Sequence, residues 1–251
     1  MTHIPKRGHP MVQRTVKRHL RHTGYDMYRV VQSDVSPRNA RERHQAVLNN
    51  TINVVFDIGA NAGTYGLDLR SAGYTERIIS FAPVSSDYTA LKAAASGDML
   101  WETVQSALGD FNGAEEVSVH PYTPHYANTS RISNEDSAET PQQATTEDIV
   151  VSRLDAILDT FVEDDERCFV KIDNQGFGTR ELMGAEGVMN RICGVQIDVP
   201  QQQQTHNSDD SLDSMIHLMH THGFTLVSIE PATLNGGSGH SIKTRLTFIK
   251  H

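Results

Sequence analysis

The segment that most limits how this chain can fold is Val55-Phe56-Asp57-Ile58-Gly59-Ala60-Asn61-Ala62-Gly63-Thr64-Tyr65-Gly66, an apolar run that turns through small residues into a helical pattern. The run Ile52 to Phe56 reads as a strand, and Tyr65, Leu69 and Ala72 recur at helical spacing up to Gly73, a residue suited to a left-handed cap. A strand that enters a helix through glycines opens a βα unit. Glycines there let the backbone take positive φ and approach a ligand, and the helix N-terminus offers free N–H groups. Spacing excludes two common ligands. A dinucleotide fingerprint needs glycine at G-x-G-x-x-G, whereas the loop has Gly59, Asn61 and Thr64 at those offsets, and no Gly-Lys-Ser/Thr follows for a phosphate loop. What remains is Asp-x-Gly-x-Asn-x-Gly, whose acid Asp57 at the strand end suits a cationic ammonium.

The remaining pattern alternates short β-rich runs with helical ones, which predicts βαβ units and a parallel sheet. Strands are expected at Arg77 to Phe81, Trp101 to Ala107, Cys168 to Ile172, Gly194 to Ile197, Thr225 to Ile229 and Arg245 to Ile249, the last two as an antiparallel hairpin. Val117 and Val119 alternate with polar residues, as on an exposed edge strand. Helices are expected after Ser85 or Ser86 as cap, with Tyr88, Leu91 and Ala95 inward, then at Val151 to Val162, around Arg180 to Asn190, and at Leu212 to His222. The near-continuous apolar runs 168–172 and 194–197 belong to strands covered on both faces, hence central. Residues 120–148, rich in Thr, Ser, Pro, Gln and acids, read as a long loop, either a lid or disordered.

Composition narrows the setting. At 37% hydrophobic and 21% charged the chain is of the soluble globular class, with no stretch near the roughly 18 apolar residues of a membrane span. The first twenty residues hold no apolar signal core, so the expected location is cytoplasmic. Residues 1–22 carry six Lys or Arg and no acid, so the net charge of -9 leaves -15 on the rest once those six are set aside. Val12, Val16 and Leu20 form an apolar stripe in this basic arm, which reads as an amphipathic helix ending near Gly24. So acidic a body repels a phosphate backbone, and no nucleic-acid partner is expected. The expected organisation is a basic helical cap over residues 1–49 and one domain over 50–251. Cys168 and Cys193 lie in apolar runs and read as packed thiols. His217, His220 and His222 sit in the last turns of a helix, where a positive charge favours the dipole, so no metal site is expected there.

Several segments in order carry a resemblance: Phe56 to Gly63, Phe81-Ala82-Pro83-Val84, Ala107-Leu108-Gly109-Asp110, Arg153-Leu154-Asp155, and Val170-Lys171-Ile172-Asp173-Asn174-Gln175-Gly176. Through them the chain resembles the FkbM-type family of S-adenosylmethionine-dependent methyltransferases over about residues 50–250. The resemblance implies an α/β fold with a Rossmann-like seven-stranded sheet, its last strand antiparallel, and helices on both faces. It implies methyl transfer to a hydroxyl of a small or carbohydrate-like acceptor. It places Asp57, Gly59, Ala60, Asn61 and Gly63 at the methionine end of the cofactor, Phe81 and Ala82 at the ribose, and Leu108 and Asp110 beside the adenine. Asp173 matches the acid lining the reacting centre, where it would orient or deprotonate the acceptor, or hold Mg²⁺ with Asp198, an option not favoured. His206 is a second acid/base candidate. The chain departs from the family at Ala82, where a ribose-gripping Glu is usual, at Gly178, where a Glu is usual, and at Pro200 with Gln201 to Gln204. Those departures leave open an alternative, a catalytically impaired relative that serves as a binding module.

Overall fold

A computed structural model of the protein describes residues 44–119, 145–173, 178–200, 211–234 and 241–250. The described strands are β1 (Val54–Ile58), β2 (Arg77–Phe81), β3 (Trp101–Val104), β4 (Ala107–Leu108), β5 (Gly113–Val119), β6 (Thr145–Ser152), β7 (Cys168–Ile172), β8 (Ile192–Pro200), β9 (Thr225–Leu234) and β10 (Ser241–Ile249). The helices are α1 (Gln45–Asn49), α2 (Thr64–Ala72), α3 (Ser85–Ala95), α4 (Leu154–Ile157), α5 (Gly178–Gly184) and α6 (Leu212–Thr221).

Seven strands form one sheet in the order β3-β2-β1-β7-β8-β10-β9. β1 pairs in parallel with β2 and β7, β2 with β3, and β7 with β8, while β10 runs antiparallel between β8 and β9. Every residue of β1 and β7 is buried, which is why both read as near-continuous apolar runs, each broken by one charged residue, Asp57 and Lys171. One face of the sheet is covered by α1, α2 and α3 through Val47, Leu69, Leu91 and Ala95. The other is covered by α4, α5 and α6 through Leu154, Leu182, Met215 and Met219. This is the Rossmann-like seven-stranded fold with its last strand antiparallel. Among the described residues no helix is long and apolar enough to cross a membrane.

The second sheet, β4-β6-β5, departs from the expected strand and helix bounds. The expected third strand, 101–107, divides into β3 and β4, which lie in different sheets. Val151 opens no helix. It lies in β6, where Ile149 and Val151 are buried between more exposed neighbours at period two, and only the short α4 and a 3-10 turn (Leu158–Thr160) follow. Residues 145–148, assigned above to the loop, are strand too; 120–144, like the basic arm up to residue 43, lie outside the described residues. The helix expected around 180–190 ends at Gly184, followed by a 3-10 turn at Glu186–Val188. A Cβ built on Gly184 falls against the Gly109 carbonyl oxygen, so the helix is pressed onto the β4 turn. Neither Ser85 nor Ser86 caps α3, whose N-cap is Val84 with no side-chain bond.

Gly66 explains how α2 lies so close to the sheet. A Cβ there would stand 2.2 Å from the Trp101 ring. Gly66→Val is expected to cost about 3 kcal/mol, the upper end of typical overpacking. Urea unfolding followed by the fluorescence of Trp101, the chain's single tryptophan, measures it.

Candidate active site

The βα turn after β1 is built from three left-handed residues, Gly59 (φ 69), Asn61 (φ 48) and Gly63 (φ 85). Asn61, a non-glycine residue that tolerates this region, steadies it by donating Nδ2 to the Gly59 carbonyl at 3.1 Å. Ala60 N–H donates to the Phe81 carbonyl at 2.9 Å and Gly63 N–H to the Ala60 carbonyl at 2.8 Å, which ties the turn to the end of β2. Gly63 is the N-cap of α2, and no acid occupies the first turn of that helix. Its leading N–H groups and positive dipole end are therefore unopposed from within the helix, as an anionic ligand group requires.

Asp57 does not point into this turn. Its carboxylate is fully buried, with Ser80 Oγ donating to Oδ2 at 3.2 Å and Lys171 Nζ to Oδ1 at 2.9 Å. Trp101 Nε1 donates in turn to Ser80 Oγ at 2.9 Å. The register requires this, since Asp57 is paired with Ser80 on one side and Lys171 on the other. The direct contact to an ammonium read from the sequence is thus corrected: Asp57 holds Lys171. Lys171 reaches past it to the Ile58 and Gly59 carbonyls, both at 3.4 Å, and lies 5.2 Å from the centre of the Tyr65 ring. Burial alone would lower the Lys171 pKa, but the charges of Asp57 and Asp173 outweigh it and hold the group above its ordinary value. The Tyr65 hydroxyl is buried and has no hydrogen-bond partner among the described residues.

Asp173 stands at the end of β7, its N–H donating to the Ile58 carbonyl at 3.2 Å, so it directly adjoins the turn. Lys243 Nζ donates to its carboxylate at 2.8 Å. Burial opposes ionisation there, but the charges of Lys171 and Lys243, the Lys243 hydrogen bond and the charge of Arg245 outweigh it and hold Asp173 at about 2. A carboxylate held ionised by two lysines can accept a hydrogen bond from a hydroxyl, as the orienting role expected of it requires. On the neighbouring strand Asp198 is gripped by Arg245 through two bonds of 2.7 Å. The Mg²⁺ option pairing Asp173 with Asp198 therefore meets two cations already in place. Among the described residues no group of three His, Cys, Asp or Glu is gathered as a metal site, and His217 and His220 are exposed on α6.

The other residues read from the sequence are spread more widely. Phe81 turns its ring to the opposite face, between Phe56 and Phe161, and offers the turn only its carbonyl. Ala82 is buried, Leu108 lies in the core, and Asp110 accepts from Arg180 Nε at 2.9 Å. His206 and residues 174–177 lie outside the described residues. Burial pushes the Cys168 thiol up to about 12, which removes it as a nucleophile. The residues present fit a cofactor with an amino-acid end: a turn without a clashing side chain, a helix N-terminus for its carboxylate, and an unpartnered buried phenol beside them.

Comparison with known proteins agrees with this chemistry. The profile of the methyltransferase FkbM domain matches residues 57–226. No curated protein matches the chain in sequence. Among solved structures, precorrin-6y C5,15-methyltransferase from Geobacter metallireducens is 12% identical, the match covering 89% of this chain and 94% of that one at a TM-score of 0.44. An rRNA methylase from Streptococcus thermophilus is 10% identical, with 86% and 98% covered at 0.47. A putative tRNA methyltransferase from Streptococcus pneumoniae, solved with S-adenosyl-L-methionine, is 12% identical, with 86% and 73% covered at 0.45.

Proposed function

The chain belongs to the FkbM methyltransferase family, whose members use S-adenosylmethionine, and on that premise we propose that it methylates a hydroxyl of a small or carbohydrate-like acceptor. One observation carries the choice of acceptor: Asp173, whose backbone N–H bonds it to the Ile58 carbonyl at the cofactor turn, has its carboxylate held by Lys243. When bound, the cofactor supplies an activated methyl group on a sulfonium. The turn and the first N–H groups of α2 hold its amino-acid end, and Lys171 braces the turn from below. Asp173, kept ionised by Lys243, accepts a hydrogen bond from the acceptor hydroxyl and so aims the oxygen. A carboxylate suits this because it accepts and never donates when ionised. The acidic body outside the basic arm favours an acceptor without a phosphate backbone.

Isothermal titration with S-adenosylmethionine, followed by transfer of its labelled methyl group to a panel of sugars, glycosides and RNA, tests this reading. Micromolar binding with label in a sugar hydroxyl is expected. Label in RNA alone rejects the acceptor class. Binding without transfer to any acceptor favours the impaired-relative reading, for which the buried methyl of Ala82 is the motivating observation.

A further inference from the structure

We propose that Glu147 provides the carboxylate that binds the cofactor ribose, in place of the side chain missing at Ala82; this rests on the methyltransferase reading above. A nucleoside seated at the first βα turn lays its ribose over the end of the second strand, where an acid about 20 residues beyond the turn takes the hydroxyls. Here that position is Ala82, a methyl group only 1% exposed, pinned by its N–H to the Val104 carbonyl at 3.1 Å. Nothing in that side chain accepts a hydrogen bond.

Three residues further on, α3 begins at Ser85 without a side-chain cap of its own. β6 carries Glu147 into this gap. Its Oε1 accepts from the Ser85 N–H at 2.9 Å and also from the Ser85 hydroxyl, and Gln105, just beyond β3, donates Nε2 to the same hydroxyl oxygen at 3.0 Å. The carboxylate therefore stands just beyond the ends of β2 and β3, and β2 is the strand whose Phe81 carbonyl accepts from the cofactor turn at Ala60 N–H. Among the described residues it forms no salt bridge, and none donates to its Oε2. A carboxylate offers about four acceptor sites. Oε1 uses two of them on Ser85, which fixes the group at the α3 N-terminus, and Oε2 keeps two, the number a vicinal diol needs. Capping and ligand contact use different oxygens of one side chain. Because Glu147 comes from the second sheet, 65 residues after Ala82, no motif around β2 would reveal it.

The test is titration of the full chain with S-adenosylhomocysteine and its 2′-deoxy counterpart. The wild type is expected to prefer the ribose ligand by about tenfold to a hundredfold, as a hydrogen bond to a charged group predicts. Glu147→Gln is expected to weaken the ribose ligand by a similar factor and leave the deoxy ligand within threefold, and adding Ala82→Glu to it restores the preference. Should Glu147→Gln fail to fold, Glu147→Asp, which keeps a charge at the α3 end but withdraws the free oxygen, is read in the same way. Equal weakening of both ligands shows capping alone and overturns the proposal, as does a preference that survives the substitution. A wild type that binds S-adenosylhomocysteine without preferring the ribose overturns the proposal only. A wild type that binds neither ligand overturns the cofactor reading and the proposal together.

Discussion

Lys171→Met is expected to abolish S-adenosylmethionine binding and to lower the stability of the fold by about 3–5 kcal/mol, the cost of breaking a buried ion pair by removing one partner. The reason lies in what the ammonium leaves behind. Asp57 has no solvent exposure, and without Lys171 its only described side-chain partner is the Ser80 hydroxyl. The Ile58 and Gly59 carbonyls lose a donor at the same time, just where the backbone enters its left-handed turn. Urea unfolding measures the first effect and isothermal titration the second. They separate in Lys171→Met/Asp57→Asn, which removes both charges. That double variant is expected to regain at least half of the lost stability, because no unpaired charge remains, yet to stay deficient in cofactor binding, because the turn still lacks its brace. A Lys171→Met protein that binds the cofactor as tightly as the wild type would show that the turn holds its shape without the lysine.

That pair also marks the limit of what the residues disclose in linear order. The Asp57 to Gly63 turn is legible because its glycines and its acid lie close together in sequence, and the central strands because β1 and β7 are covered on both faces and therefore apolar but for one charged residue each. Lys171 was legible only as an interruption of such a run. A lysine inside a doubly covered strand needs a buried partner, and that signal alone could have led to Asp57, 114 residues upstream. Lys243, Arg245 and Glu147 gave no comparable sign. They act through the antiparallel insertion of β10 beside β8 and through the second sheet, and both arrangements are set by long-range pairing. β6 is hidden in the sequence for a related reason. Its first half, Thr145 to Asp148, is polar because it runs along an exposed sheet, so it merges with the polar segment before it. The cap of α3 is not legible locally because it comes from β6 and not from the serines at the start of the helix.

Asp173→Asn is expected to reduce methyl transfer by about a hundredfold, the scale of misorienting a reacting group, while leaving cofactor affinity within a few-fold. In the proposed function the carboxylate meets the acceptor, and the backbone bond from Asp173 N–H to the Ile58 carbonyl survives the substitution. Single-turnover transfer of labelled methyl to the acceptor, with titration as the control, separates the two quantities. The low pKa of Asp173 adds a second signature. Because the folded value is about 2 and the ordinary one 3.8, the group stabilises the fold above pH 4, and that contribution fades as pH falls toward 2. Urea unfolding of the wild type should therefore weaken between pH 4 and 2 more steeply than that of Asp173→Asn, which has no proton to take up. Above pH 5 Asp173 stays ionised, so it puts no acid limb on wild-type turnover between pH 5 and 8. A limb in that range that persists in the residual activity of Asp173→Asn belongs to a different base; one that vanishes with the substitution would restore Asp173 to that role and overturn its assignment as an ionised, orienting group.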